Sequence, residues 1–368
     1  MKRVFAFIKK EIVMFISMLL AVISMFFVPP NAEYINYIDF RTLALLFCLM
    51  TVMAGLNALG FFKLLAEKLL DRAKNIRTLI LTLVLLCFFS SMIITNDVSL
   101  ITFVPFTIIT LNLAGQSKKL IFTVILETVA ANLGSMLTPI GNPQNLYLFS
   151  AYDMSIADFL STILPYALIS LIMLIVFSLF SGKEKLNIQK NTDTQKPDVK
   201  YLIMYFILFA VSLFGVFRIL NYIILFAVVV ITVLIFDRKT LLKVDYSLIL
   251  TFVFLFVFIG NLGNIQNISQ WLSNTVTGNE VITGVLASQI FSNVPAAILL
   301  SGFTQNANSL LIGVNLGGLG TLIASMASLI SFKFIQKEKT STSKYLLVFS
   351  VINIVFLAAN LVLWLIIK

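Results

Sequence analysis

Apolar runs of about 18 to 25 residues recur along this chain, each bounded by a short polar connection. That is the length an α-helix needs to cross a hydrocarbon core of roughly 30 Å. The pattern predicts spans over residues 11–28, 41–60, 118–146, 158–180, 201–217, 219–236, 246–263, 306–332 and 345–367, with double segments at 78–114 and 281–305. Transmembrane strands would be short and alternate in polarity, so a β-barrel is excluded. The expected fold class is an all-α polytopic membrane protein of about 9 to 11 spans.

Polar residues interrupt these runs, and the interruptions come in pairs. Thr95-Asn96-Asp97 and Ser292-Asn293-Val294 punctuate the two double segments. Asn132-Leu133-Gly134 with Thr138, Ile140 and Gly141 returns as Asn315-Leu316-Gly317 with Thr321, Ile323 and Ala324. The first phrase cannot continue as regular helix, because Pro139 and Pro143 lack N–H donors and its glycines loosen the backbone. The second has Gly317, Gly318 and Gly320 and no proline, which also suits a close helix-packing seam. Irregular backbone at membrane depth survives only where protein or solute satisfies it, so paired breaks point to a solute site between two repeats.

Charge sets the threading. Of the 26 Lys and Arg residues, 23 cluster at 2–10, 63–77, 118–119, 183–200, 238–243 and 333–344. If each double segment enters and leaves on one side, every cluster lies on the cytoplasmic face together with the N-terminus, and the C-terminus lies outside. Segment 281–305, with arms of about a dozen residues, is too short for two crossings and reads as a re-entrant hairpin, whereas 78–114 is open between a hairpin and two crossings. The extra span 201–217 starts the second set from the opposite side. Residues 1–180 and 218–368 therefore read as inverted repeats, each with a hairpin and a broken helix, joined by 181–217. Segment 61–77 interleaves apolar residues with Glu67, Lys68, Asp71, Arg72 and Lys74, as an interfacial amphipathic helix or a charged loop does.

Composition agrees, with 60% of residues apolar and 11% charged. The formal charge of +10 forms no continuous patch that would follow a phosphate backbone, so the expected partners are the bilayer and a small ionic solute, not nucleic acid. Cys48 and Cys87 fall within spans and offer no disulfide framework. The run after Lys9 and Lys10 lacks a small-residue cleavage site before Pro29-Pro30 and reads as a retained helix. With no histidine, no nucleophile–base pair and no metal cluster, neither an enzyme nor a cofactor is expected. A channel would need a charged ring or a filter motif.

Asp97 and Glu127 are the carboxylates that this threading puts inside the membrane, with no buried Lys or Arg to neutralise them. Such groups exchange protons or coordinate a cation, and without histidine proton coupling falls to these two. Each has a plainer alternative, Asp97 as a helix cap and Glu127 as the partner of a nearby hydroxyl or amide. At the breaks, carbonyl, Asn and Thr oxygens suit sodium, while helix N-termini suit an anion.

The stretch from Ala131-Asn132-Leu133-Gly134 to Gly141-Asn142-Pro143-Gln144-Asn145, with its order of hairpin, broken helix and second copy, resembles the ion transporter superfamily of citrate and dicarboxylate carriers, arsenite permeases and NhaD-type sodium/proton antiporters. The resemblance covers nearly the whole chain and is nearest to the citrate-transporter-like permease branch. It implies hairpin tips and broken helices meeting at the midplane, and a transport unit that moves against a scaffold compatible with a homodimer. Dicarboxylate carriers have Ser-Asn-Thr at both tips. Here Asp97 and Val294 take the third positions, favouring a cation or proton at the first tip and removing a ligand at the second.

The function expected is secondary active transport of a small anion, citrate- or dicarboxylate-like or inorganic, coupled to sodium or protons in the cell membrane. A sodium/proton antiporter or an arsenite efflux permease is the alternative. Thr95, Asn96, Asp97, Asn132 and Gly134 are expected at the first ion site and Asn293, Asn315, Gly317 and Thr321 at the second. Thr138 and Ser292 would contact solute, and Asn142 belongs to the same ion and substrate set. Sodium is expected at Asn96, Asn132, Asn293 and Asn315, and proton coupling at Asp97 and Glu127.

Overall fold

The computed structural model describes residues 11–61, 64, 75–182, 184, 198–338 and 340–368. The basic stretch 2–10, most of segment 61–77 and most of the 181–200 connection lie outside the described residues. Regular structure is helical: α1 (Ile12–Met25), α2 (Phe40–Ala58), α3 (Ile76–Ile94), α4 (Asn96–Leu113), α5 (Leu120–Ser135), α6 (Pro143–Ala151), α7 (Ile156–Leu179), α8 (Val199–Val216), α9 (Tyr222–Phe236), α10 (Tyr246–Asn264), α11 (Gln266–Val276), α12 (Glu280–Phe291), α13 (Asn293–Ser301), α14 (Ala307–Leu316), α15 (Met326–Ile335) and α16 (Thr342–Ile367), with single turns between some of them. Side-chain caps start many of these helices: Asp39 accepts from the Thr42 amide, Asn75 from Thr78, Ser155 from Asp158 and Asp245 from Leu248.

Seven of these helices, α2, α3, α4, α7, α8, α10 and α16, are long and apolar enough to cross a membrane. The chain is a polytopic all-α membrane protein, as its hydrophobic pattern predicts. The number of continuous long helices falls below the predicted 9 to 11 spans because 118–146 and 306–332 are each split, into α5 with α6 and α14 with α15. Helices α1 and α9, at 14 and 15 residues, are also short of a full crossing length.

Both double segments fold as helix, one residue, helix. In the first, Ser90 Oγ lies 2.8 Å from Ser99 Oγ, and Ser99 also donates to the Cys87 carbonyl at 3.4 Å, so the chain doubles back at Thr95. Its arms of 19 and 18 residues are each about 28 Å long, a crossing length. The arms of the second, 12 and 9 residues, reach only about 18 and 14 Å.

The helices pack in two groups. Helix α10 lies along α1, and α2 is flanked by α8 and α9. In the other group α3 and α4 clasp α5, α12 and α13 clasp α14, and α15 runs against α4 and α5. The groups meet where α2 touches α6 and α10 touches α13. Within the first group α2 and α8 approach so closely that a Cβ at Gly55 would sit in the Tyr205 ring. Tyr205 is itself buried and fixed by its hydroxyl, which donates to Asp237 at 2.9 Å. Gly55→Val is therefore expected to lower stability by about 1–3 kcal/mol through overpacking. Gly263→Ala, where a Cβ meets nothing within 4 Å, should leave the detergent melting midpoint near that of the parent.

Candidate functional site

The two hairpin tips have the same backbone. Thr95 has φ 69° and ψ 154°, and Ser292 has φ 73° and ψ 154°. This region is almost confined to glycine and costs a β-branched or hydroxyl residue on the order of 1–3 kcal/mol. Each tip then anchors to its own broken helix in the same way. The Asn96 amide donates to the Gly141 carbonyl at 3.3 Å, and the Asn293 amide to the Ala324 carbonyl at 2.9 Å. Thr138 donates its hydroxyl to the Met92 carbonyl, three residues before the tip, and Thr321 donates to the Gln289 carbonyl, three before the other, at 3.4 Å. A Cβ at Gly134 would strike the Phe88 carbonyl, and one at Gly317 would lie 2.5 Å from Ser288 Oγ. The doubled glycine and threonine of the phrase thus fasten break to hairpin.

The doubled asparagines reach across to the other copy. Asn132 Oδ1 accepts from Asn96 Nδ2 at 3.1 Å and from Ser325 Oγ at 2.9 Å, while its Nδ2 donates to the Gly318 carbonyl at 3.5 Å. Asn315 Oδ1 accepts from Asn142 Nδ2 at 3.3 Å, and its Nδ2 donates to Asn145 Oδ1 at 2.7 Å. The phrase runs in one register in both copies, so Asn142 and Ser325 hold matching places. The sequence divides these residues into one site per half; in the structure each asparagine is completed by the opposite half.

Several carbonyls exposed by the breaks are taken by side-chain amides. Asn145 Nδ2 donates to Ser135, Met136 and Thr138 oxygens at 3.3, 3.1 and 3.1 Å. Gln289 Nε2 donates to Gly317 and Leu319 oxygens, both at 2.9 Å, and its Oε1 accepts from the Thr321 amide at 2.9 Å. Each of those carbonyls thus has a protein donor on one of its two lone pairs. Gln289 and Ser325 escape a sequence reading because one is a lone amide in an apolar arm and the other follows the end of the repeated phrase.

Asp97 lies in the first turn of α4, whose N-cap residue Thr95 makes no side-chain cap hydrogen bond. It lines a cavity of about 410 Å³ between the two helix groups, together with Asn57, Thr95, Asn142, Lys243 and Asp245. Asp97 Oδ1 and Asn142 Oδ1 are both buried acceptors without a donor. Glu127 is elsewhere. It is fully buried where α5 meets α4, accepts from Thr107 Oγ1 at 2.5 Å, and does not line this cavity. Its Oε1 has the hydroxyl partner of the plainer reading, and its Oε2 is a buried acceptor without a donor. A second cavity of about 350 Å³ lies at the same boundary beyond α6, lined by Tyr37, Asp39, Tyr147, Tyr152, Ser301 and Gln305. There Tyr147 bonds the Ser301 hydroxyl at 2.7 Å, and Tyr152 donates to the Ser301 and Thr304 carbonyls at 3.0 and 2.9 Å. A third buried carboxylate, Glu280, caps the start of α12 by accepting from the Gly278 amide and Thr304 at 3.0 and 2.8 Å.

Around the crossing, the N-termini of α4, α6, α13 and α15 converge with the C-termini of α3, α5, α12 and α14. Residues 3–313, which hold both hairpin tips and the first break and end just before Asn315, match the family model described as citrate transporter. The chain belongs to the citrate transporter family. It is a membrane transporter of that family, and it is 34% identical over 349 residues to an uncharacterized transporter of Methanocaldococcus jannaschii, with 94% of each chain covered. It is also 30% identical over 335 residues to the inner membrane protein YbiR of Escherichia coli, with 85% of each covered. A shorter match, 35% identity over 130 residues, covers 35% of this chain and 26% of a silicon efflux transporter of Oryza sativa.

For this citrate transporter family member the strained tip gives a direct test. Thr95→Gly should raise the melting midpoint by relieving a strain on the order of 1–3 kcal/mol. Gly134→Ala should lower it by a similar amount, because the added methyl meets backbone that cannot rotate away.

Proposed function

We propose that this transporter carries a small anion by secondary active transport coupled to sodium or protons, with the coupling ion at Asp97 and Asn142. The carrying observation is the convergence of four helix N-termini and four C-termini on one crossing. N-termini present partial positive charge to an anion, and C-termini present carbonyls to a cation. Gln144 Nε2, a buried donor without an acceptor in the first turn of α6, adds to the anion side. The Asp97 carboxylate and the unpaired Asn142 oxygen add to the cation side.

The two cavities at one boundary support alternating access, in which the hairpin-bearing group moves against α1, α2, α8, α9 and α10. The matching tips and exchanged asparagines support reading 1–180 and 218–368 as two repeats around 181–217, the extra span within that connection supports their inversion, and the Lys and Arg clusters support a cytoplasmic N-terminus and an outside C-terminus. Sodium at Asn96, Asn132, Asn293 and Asn315 would have to compete with the bonds that Asn132 and Asn315 make to the opposite half.

One observation favours a second reading, a sodium/proton antiporter or arsenite efflux permease. The orphan oxygens of Asp97 and Asn142 are both acceptors, which suits a cation or a hydroxyl-bearing solute. Proteoliposome flux with citrate, succinate, phosphate, sulfate and arsenite, under imposed sodium or proton gradients, separates the two. Saturable anion uptake that follows the gradient and falls at least about tenfold in Asp97→Asn, roughly 1.4 kcal/mol, is the expected result. Sodium–proton exchange without anion uptake would replace it by the second reading, and uncoupled conductive flux would remove both.

A further inference from the structure

At the end of the molecule away from the crossing, the connection after α4 and the connection between α15 and α16 enclose a cleft of about 640 Å³. Lys118, Lys337 and Lys344 line it, with hydroxyls from Ser117, Thr340 and Ser341. The one carboxylate in its lining, Glu338, accepts from Asn112 Nδ2 at 3.3 Å through Oε2. Three ammonium groups against one carboxylate leave the cleft net positive. It also contains the start of α16, a 26-residue helix whose N-terminal dipole adds to the same sign. The helices that frame it are lipid-facing: Ile109 and Leu113 on α4 are 58% and 61% exposed, and Leu347 on α16 is 65% exposed. A positive cleft with polar hydroxyls, opening between two outward apolar helix faces, matches a molecule with an anionic head and hydrocarbon tails.

We propose that this cleft binds the headgroup phosphate of an anionic phospholipid, whose acyl chains lie along the outward faces of α4 and α16. Three lysines hold the phosphate as point charges, and Ser341, whose Oγ accepts from the Lys344 amide and keeps its own proton, donates to its oxygens. The Ser117 and Thr340 hydroxyls are spent on Asn112 and the Ile335 carbonyl. The lipid joins the far end of the first hairpin to the connection leading into the last helix, where the direct polar link is the Asn112–Glu338 bond. Its binding therefore stiffens the attachment between parts of the chain more than two hundred residues apart.

The experiment compares full-length protein in nanodiscs of phosphatidylglycerol and of phosphatidylcholine. Phosphatidylglycerol is expected to raise the melting midpoint by several degrees, and K118Q/K337Q/K344Q to lose that shift. K200Q/R238Q/K239Q, an equal change of charge elsewhere, should keep it. Native mass spectrometry of Lys344→Gln, a milder variant, should count at least one fewer retained phosphatidylglycerol per protein. Equal midpoints in the two lipids, or a shift that survives in the cleft variant, would overturn the proposal. Inorganic phosphate reproducing the shift in phosphatidylcholine discs would also overturn it, by assigning the cleft to a free anion.

Discussion

Breaking a helix in the middle of a membrane protein leaves amides and carbonyls with no water to turn to, and satisfying them governs how the rest of this structure is arranged. Each break is closed by a hairpin tip whose first amide caps the carbonyl at its far end, at Gly141 in one copy and Ala324 in the other. What remains is met differently in each half. Asn145, within the first broken segment, turns back on three carbonyls, whereas the second break borrows Gln289 from its hairpin arm. The glycines at 134 and 317 let each broken helix lie directly against its hairpin arm, at Phe88 in one copy and Ser288 in the other.

This division of labour explains what the sequence could and could not reveal. Span positions are legible because hydrophobic length is a local property, and Thr95-Asn96 and Ser292-Asn293 mark turns because polar residues interrupt an apolar run. The doubled phrase is legible as a pair. The roles inside it are not, since a glycine that packs and a glycine that exposes backbone to an ion look alike in one dimension. Thr138 reads as a solute contact and Thr321 as part of the second ion site from their chemistry, and it takes the fold to show that their hydroxyls donate to main-chain carbonyls. Asp97 and Glu127 both read as carboxylates inside the membrane, and only packing shows that one lies beside a cavity while the other accepts from Thr107 where α5 meets α4. The pairing of Asn132 with Ser325 and of Asn315 with Asn145 depends on contacts between distant segments, which periodicity does not encode.

The boundary between the helix groups is uneven. On one side of α6 the wall is mostly aliphatic, from Leu46, Leu49, Met50 and Met53, with the carboxylates at its edge. On the other side tyrosines dominate, and their hydroxyls tie α6 to the end of α13. Apolar contacts are non-directional and reform after sliding, whereas the tyrosine bonds hold one register. Both helices belong to the hairpin-bearing group, so a rearrangement at this boundary can carry α6 and α13 as one piece with those bonds intact.

The exchange of asparagines between the halves also bears on how the protein is made. Asn132 finds its acceptor and donor 186 and 193 residues downstream, and Asn142 finds Asn315 at a separation of 173. At about 5–20 residues per second of synthesis, the first half waits on the order of ten to forty seconds with those amides unmatched. During that interval its polar core cannot be released into lipid without leaving buried groups unpaired. In hydrogen-bond terms the early helices are therefore finished only when the late ones arrive, so the first half of this fold is completed by the second and not before it.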